Sequence, residues 1–277
     1  MRFVDVFSEQ PFRGNALAVF HDAGGLTDDE MLAAARWTNL SETTFLVPPA
    51  DPRADYGVRI WTTGGELPFA GHPTLGSAHA WLEAGGIPSV KGVLVQECPA
   101  GLIQVSRESG RLAFVAPPLL RSGPVDDPEL GRVVAAVRVD PVDVVDAAWV
   151  DNGPGWCGVL LRSPAAVLAA APDPSLAAGM KIGLAARYPD RARDDGVTLE
   201  VRAFYSDGRD VGEDPVTGSL NAGLAQWLVP AGHAPARYVA AQGTAIGRTG
   251  RVHVDVVDGV VRVGGATRTM IVGSTGS

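Results

Sequence analysis

Gly65-Glu66-Leu67-Pro68-Phe69-Ala70-Gly71 and, 147 residues later, Gly212-Glu213-Asp214-Pro215-Val216-Thr217-Gly218 are two copies of one loop. Extended without gaps to Ala78 and Ala225, the alignment keeps six of fourteen positions: Gly, Glu, Pro, Gly, Gly and Ala. The segments before the loops also correspond, Val58-Arg59-Ile60-Trp61 with Val201-Arg202-Ala203-Phe204, at an offset of 143. A period near half the chain predicts two copies of one domain rather than a solenoid. Each loop is followed by a segment without Asp, Glu, Lys or Arg, residues 73–82 and 220–229. A helix that is apolar or small on every side must be buried on every side, and in a water-soluble chain a surrounding sheet satisfies that.

Outward from these loops, β-branched and aromatic runs predict strands at residues 2–7, 16–20, 43–47, 56–62, 93–96, 102–105 and 112–115 in the first half, and at 198–205, 238–241, 252–256 and 260–263 in the second. Thr27 with Glu30 three residues on has the spacing of a capping box and predicts a helix to about residue 37. The breaker-rich stretch Pro117-Pro118 to Ser122-Gly123-Pro124 sets the boundary near residue 118. The expected domains are residues 1–118, completed by a strand within 264–277, and residues 119–263.

The chain has 277 residues, 46% of them hydrophobic and 19% charged, enough for a sizeable core. Its net charge of −8 lacks the basic field that a phosphate backbone needs, so nucleic acid is not an expected partner. No apolar run reaches the roughly 18 residues of a membrane span, so a membrane is not expected either. No charged-then-apolar leader opens the chain. The two cysteines, Cys98 and Cys157, are too few for a disulfide framework, and a cytoplasmic location is expected.

Each repeated loop ends in Gly immediately before a helix. A helix N-terminus carries unpaired N–H groups and partial positive charge, and Gly lets a ligand approach the backbone. If the domains pack face to face, Gly71 and Gly218 bring two such ends to one small carboxylate, with His72 and Ser219 beside them. The plainer reading is that both loops are tight strand-to-helix connections. Asp214 is placed either to accept hydrogen bonds from substrate or to cap the following helix. By the residues alone Glu42, between Ser41 and Thr43, reads as a surface carboxylate. Other motifs fail: Gly153-Pro154-Gly155-Trp156-Cys157-Gly158 matches GxGxxG but leads into a strand-like Val159-Leu160-Leu161 rather than a helix. There is no P-loop and no GxSxG elbow. His72 and His79 are too far apart to share a metal, and neither Cys belongs to a CxxC, so no metal is expected.

With Asp5-Val6-Phe7, Gly14-Asn15-Ala16-Leu17-Ala18-Val19, Ser41-Glu42-Thr43-Thr44-Phe45, Glu66 through Gly76, Glu213 through Ser219 and Gln242-Gly243, the chain resembles the PhzF family of phenazine-biosynthesis-type isomerases nearly end to end. The resemblance implies the α+β, diaminopimelate-epimerase-like fold: two pseudo-symmetric domains, each a β-barrel-like sheet around a central helix. It also promotes Glu42 to the general acid/base of a cofactor-independent isomerase that moves a proton between carbons of a small unsaturated, cyclic or conjugated carboxylic acid. His72, Asp214 and Ser219 match the family's other catalytic positions, and the resemblance implies that they bind and orient the substrate and help with proton traffic; the amides of Gly71 and Gly218 would hold the carboxylate, and Gln242 is a further polar contact. The family's habit implies a homodimer. Related epimerases and racemases use two facing cysteines where this chain has His72 and Ser219, which argues against a two-thiol racemase. A Glu suits this role only if burial raises its pKa toward working pH. Two rival readings remain at this level: other chemistry on a small acid, such as C–C cleavage, with residues 152–156 and 204–209 setting the difference, and a non-catalytic small-acid binding protein.

Overall fold

A computed structural model describes residues 1–108, 110–189, 193–206 and 210–274. The chain divides into two compact units, Met1–Val115 with Gly264–Ser277, and Ala116–Val263. Of the expected closing segment, residues 275–277 lie outside the described residues, as do residues 207–209.

In the first unit, hydrogen-bonded neighbours run in the order Thr267–Val272, Arg2–Val6, Asn15–Phe20, Thr43–Val47, Tyr56–Trp61, Val93–Cys98, Gly101–Glu108 and Arg111–Val115. All these pairs are antiparallel except Asn15–Phe20 with Thr43–Val47 and Tyr56–Trp61 with Val93–Cys98, which are parallel. The parallel pairs need crossovers, and the chain supplies a helix at each: α1 (Asp28–Thr38) and α2 (Gly71–Glu83). Helix α1 starts with the capping box its spacing predicts. Glu30 N–H donates to the Thr27 hydroxyl at 3.3 Å, and Thr27 N–H donates to the Glu30 carboxylate at 2.8 Å. Its apolar side, Met31 and Ala35, buries against Phe45 and Trp61 on one sheet face. Helix α2 packs against the strands Arg2–Val6, Asn15–Phe20, Thr43–Val47, Val93–Cys98, Gly101–Glu108, Arg111–Val115 and Thr267–Val272. Its residues Gly71 through Ala78 are all buried, as its lack of charge requires.

The second unit repeats the plan. Its order is Arg121–Pro124, Val144–Asp151, Cys157–Leu161, Lys181–Arg187, Val197–Ser206, Arg237–Gln242 and Gly250–Val257. Its parallel pairs are Cys157–Leu161 with Lys181–Arg187 and Val197–Ser206 with Arg237–Gln242. Beyond the sequence expectations are the strands Arg121–Pro124, Val144–Asp151 and Lys181–Arg187 and the helices α3 (Asp127–Val137) and α4 (Pro164–Ala169). Helix α3 is capped by Asp126, which accepts from Glu129 N–H at 2.9 Å. Val133, Ala136 and Val137 of α3 and Val167 of α4 form one core with Val159, Ile182, Leu184 and Phe204. The central helix of this unit is α5 (Gly218–Leu228), whose residues Gly218 through Ala225 are buried.

The two small residues that the repeat shares inside these helices have a packing reason. A Cβ on Gly76 would meet Leu17 Cδ2 at 2.5 Å, and one on Gly223 would meet the Val150 carbonyl oxygen at 2.3 Å. At Gly223 the helix lies against the strand backbone itself, and at Gly76 the Leu17 side chain fills the space a methyl would need. No helix among the described residues is long and apolar enough to cross a membrane.

Candidate active site

In each unit a short strand folds back as a hairpin and ends at the central helix: Glu66–Leu67 on Tyr56–Trp61, and Val211–Asp214 on Val197–Ser206. The shared Arg and Glu of the repeat hold these hairpins. Arg59 donates from Nε and Nη2 to the two oxygens of Glu66 at 2.8 and 2.6 Å. Arg202 does the same to Glu213 at 3.1 and 2.7 Å. A planar guanidinium meeting a carboxylate at two points fixes orientation as well as distance. Both forks therefore set the angle at which the loop enters its helix.

In the first unit the loop delivers Gly71 and His72 to the first turn of α2. The N-cap is Ala70, with extended backbone and no capping side chain, and the first turn holds no acidic residue. Pro73 follows at the third helical position, where an N–H would lack a helical partner anyway. The helix thus presents its positive end with no acidic residue in its own first turn. His72 is 3% exposed, and burial pushes its imidazole down to about 3, so the ring is neutral near pH 7. Its Nδ1 lies 3.3 Å from Asn15 Nδ2 and 3.5 Å from Glu42 Oε2. Nδ1 therefore faces an amide and a carboxylate, whereas Nε2 is buried with no hydrogen-bond partner among the described residues. Glu42 precedes the strand Thr43–Val47, which is anchored from both sides. The Thr38 and Thr43 hydroxyls are 2.7 Å apart, and Ser77 on α2 donates to Thr44 Oγ1 at 2.9 Å. Asn15 opens its strand after a turn in which Asp5 accepts from the Arg13 and Gly14 N–H groups at 3.0 and 2.9 Å.

In the second unit Asp214 ends the hairpin strand and accepts from the Thr217 hydroxyl at 2.6 Å. The N-cap Thr217 therefore turns its side chain back to the loop and does not cap α5. Gly218 and Ser219 form the first turn, again with no acidic residue. Gln242 is fully buried and ties this corner together. Its Oε1 accepts from Thr217 N–H at 3.0 Å and Asn221 Nδ2 at 2.8 Å, and its Nε2 donates to Thr217 Oγ1 at 2.8 Å and the Asp214 carbonyl at 3.1 Å. Asn221 also donates to the Thr217 carbonyl at 2.9 Å. Asn152 donates to the Ser219 carbonyl at 2.9 Å, and the Trp156 indole to Ser219 Oγ at 3.1 Å.

Within the first unit the structure brings Glu42, His72 and Gly71 together. Within the second it gathers Asp214, Gly218, Ser219 and Gln242. Four further polar residues stand at these corners: the sequence offered Asn152 and Trp156 only within the stretch 152–156 that would separate one chemistry from another, and gave Asn15 and Asn221 no role. Asn15 follows the Arg-Gly turn signal, and Asn152 and Trp156 belong to the Gly-rich segment set aside as a failed dinucleotide motif. Asn221, on an uncharged helix, carries no signal at all. Among the described residues no group of three or more His, Cys, Asp or Glu is placed to hold a metal ion.

Comparison with known proteins gives a consistent picture. The family profile described as "PhzC-PhzF: Phenazine biosynthesis-like protein" matches residues 4–275. The fission yeast protein called antisense-enhancing sequence 1 is 33% identical, the match covering 98% of this chain and 97% of that one. The trans-2,3-dihydro-3-hydroxyanthranilate isomerase of Pseudomonas aeruginosa is 31% identical, over 90% of this chain and 87% of its own. The solved structure of a predicted epimerase, PA4716 of Pseudomonas aeruginosa, has a TM-score of 0.76 at 28% identity and covers 98% of this chain and 96% of its own. The fold is the α+β, diaminopimelate-epimerase-like one that its structural neighbours share.

Proposed function

The chain belongs to the phenazine biosynthesis-like (PhzC-PhzF) family and is an isomerase-type enzyme, and on that premise we propose that it shifts a proton, and with it a double bond, within a small unsaturated carboxylic acid, with Glu42 as the acid/base. One observation carries the proposal: Glu42 Oε2 lies 3.5 Å from a buried neutral imidazole, at the head of a helix with no capping side chain.

The chemistry balances without a co-reactant. The Glu42 carboxylate takes a proton from an acidic C–H of the substrate, and the bonding pair left behind spreads through the double bond onto an oxygen as a dienolate. Glu42, now a carboxylic acid, returns a proton to the far carbon, and the double bond has moved with no change in composition. The neutral His72 adds no positive charge beside Glu42. Peptide N–H groups at a helix start, and a hydroxyl such as that of Ser219, stabilise an oxygen on which charge develops. Asp214 and Gln242 keep the second helix start in place and contact polar groups of the substrate. The carboxylate-bearing substrate class and the role of Glu42 are supported by the relative named for trans-2,3-dihydro-3-hydroxyanthranilate and by the uncapped helix starts.

Glu42→Gln keeps the side chain's size and removes the proton carrier. With trans-2,3-dihydro-3-hydroxyanthranilate in D2O, the wild type is expected to move the double bond and to incorporate deuterium at carbon, while Glu42→Gln does neither above background. Positioned proton transfer contributes about 10²–10⁴-fold, so a loss below tenfold rules out Glu42 as the carrier. A wild type that binds the acid without exchanging deuterium is a binding protein, and the proposal fails.

A further inference from the structure

The Gly-rich segment after the strand Val144–Asp151 has work to do that no nucleotide is needed to explain. Asp151 Oδ1 accepts from Gly153 N–H at 2.7 Å and Gly155 N–H at 2.6 Å, and Val150 N–H donates to the Trp156 carbonyl at 3.0 Å. Three bonds over seven residues lock the turn. It delivers Asn152 and Trp156, 6% and 4% exposed, to the first turn of α5. There Asn152 Nδ2 grips the Ser219 carbonyl and Trp156 Nε1 reaches Ser219 Oγ.

The Trp156 bond can run in one direction only. An indole nitrogen donates and never accepts, so Ser219 Oγ is the acceptor and its own hydrogen must point elsewhere. No described residue takes that hydrogen in a hydrogen bond. A hydroxyl facing an Asn, a Gln or a water could spend its hydrogen on that neighbour, but one facing an indole N–H cannot, and its hydrogen stays available. Accepting the indole proton also strengthens the O–H as a donor, since linked hydrogen bonds polarise one another.

We propose that Trp156 is a positioning residue that keeps the Ser219 hydroxyl hydrogen available to donate to the anionic oxygen of the substrate, and that Ser219 takes no part in moving protons. The inference rests on the proposed function and deepens it: the site is built to meet a full or developing negative charge at Ser219.

Two readouts on the full chain test it. In the 15N-labelled protein without ligand, Trp156→Phe identifies the Trp156 indole resonance by its disappearance. Ser219→Ala is expected to move that resonance upfield in the proton dimension, and an unmoved resonance overturns the inference. The second readout is kcat/KM for trans-2,3-dihydro-3-hydroxyanthranilate in the two single variants and the double variant. Ser219→Ala should lose roughly 10²-fold, as for removal of one preorganised donor. Trp156→Phe should lose about 5–10-fold, the worth of one neutral hydrogen bond. In the double variant, Trp156→Phe should cost nothing beyond the loss in Ser219→Ala, because there is no hydroxyl left to orient. An equal Trp156→Phe loss with and without Ser219 means the ring acts only by packing and overturns the inference. So does a change in the pH profile of kcat in Ser219→Ala, which would make Ser219 a proton carrier. A wild type that neither turns over this acid nor binds anthranilate overturns the proposed function instead, and the hydroxyl polarity is then judged by the indole resonance alone.

Discussion

Glu213→Ala and Glu66→Ala remove the same residue from the two copies of the repeat, and they are expected to differ several-fold in cost. The side chains of the Arg202–Glu213 pair are 7% and 9% exposed, whereas those of Arg59–Glu66 are 27% and 26% exposed. Removing Glu66 leaves Arg59 still paired with Asp28 at 2.7 Å and near water. Such partly exposed pairs are worth about 0–1 kcal/mol. Removing Glu213 leaves a buried guanidinium with the carbonyls of Val167, Leu168 and Ala170 at 3.2, 3.2 and 2.7 Å and the centre of the Phe204 ring 4.6 Å away. These dipoles solvate the cation in part but do not neutralise it. Breaking a buried pair from one side costs about 3–5 kcal/mol, and the carbonyls should hold the value near the lower end, about 3 kcal/mol. At roughly 2–4 °C per kcal/mol for a unit of this size, the second unit should melt about 6–12 °C earlier. Scanning calorimetry of the wild type and both variants reads this directly. Equal shifts, or a Glu213→Ala shift under about 3 °C, would show that burial does not set the strength of the fork. Arg202→Met with Glu213→Leu, which removes both charges, should recover much of the loss.

Other outcomes follow from the two central helices. His72 is held neutral with its pKa at about 3, against 6.5 in an unfolded chain. Below pH 6.5 the unfolded chain therefore binds a proton that the folded one does not, and stability falls as pH drops from 6.5 toward 3. Urea unfolding of wild type and His72→Gln at pH 7 and pH 4.5 should show the wild type losing about 2–3 kcal/mol relative to the variant on acidification. A difference that does not change with pH would mean that the folded imidazole titrates normally. Gly223→Ala places a methyl against the Val150 carbonyl, which can yield only if the strand moves, whereas Gly76→Ala presses on the movable end of Leu17. Both gain about 1 kcal/mol of helix propensity, so Gly223→Ala should destabilise by about 1–2 kcal/mol net and Gly76→Ala by less. The reverse order in denaturant unfolding would refute the packing account.

Much of the fold was legible because burial constrains composition. An uncharged helix such as α2 or α5 has one home, inside a sheet, and a loop copied 147 residues on announces the second domain. The capping box of α1 was equally plain, since it needs only Thr27 and Glu30. Helices α3 and α4 escaped because they lie on the outer sheet face of the second unit, where Pro128, Gly131 and Pro164 interrupt their sequences and read as breakers. In the structure Pro128 and Pro164 sit in the first helical turn, where their missing N–H groups cost nothing. At the candidate site the residues themselves said little. Glu42 looked like any polar residue before a strand, and only its resemblance to a family motif singled it out. Its neighbours Asn15 and His72 arrive from segments 27 and 30 residues away, a convergence no local pattern records. Trp156 was hidden differently: its Gly-rich segment resembled a motif for another purpose.

The strand Thr267–Val272 pairs with Arg2–Val6 along its whole length, from Arg2 beside Val272 to Val6 beside Thr267. During translation the earliest β-strand of the chain must therefore wait for nearly the last one to emerge. The second unit, begun later but continuous in sequence, has all of its residues by Val263 and can close first. A nascent chain halted at that point carries one finished unit and one sheet with an open edge along Arg2–Val6. Synthesis order and completion order are thus inverted, and the N-terminal unit is the one most exposed to edge-to-edge association on the ribosome.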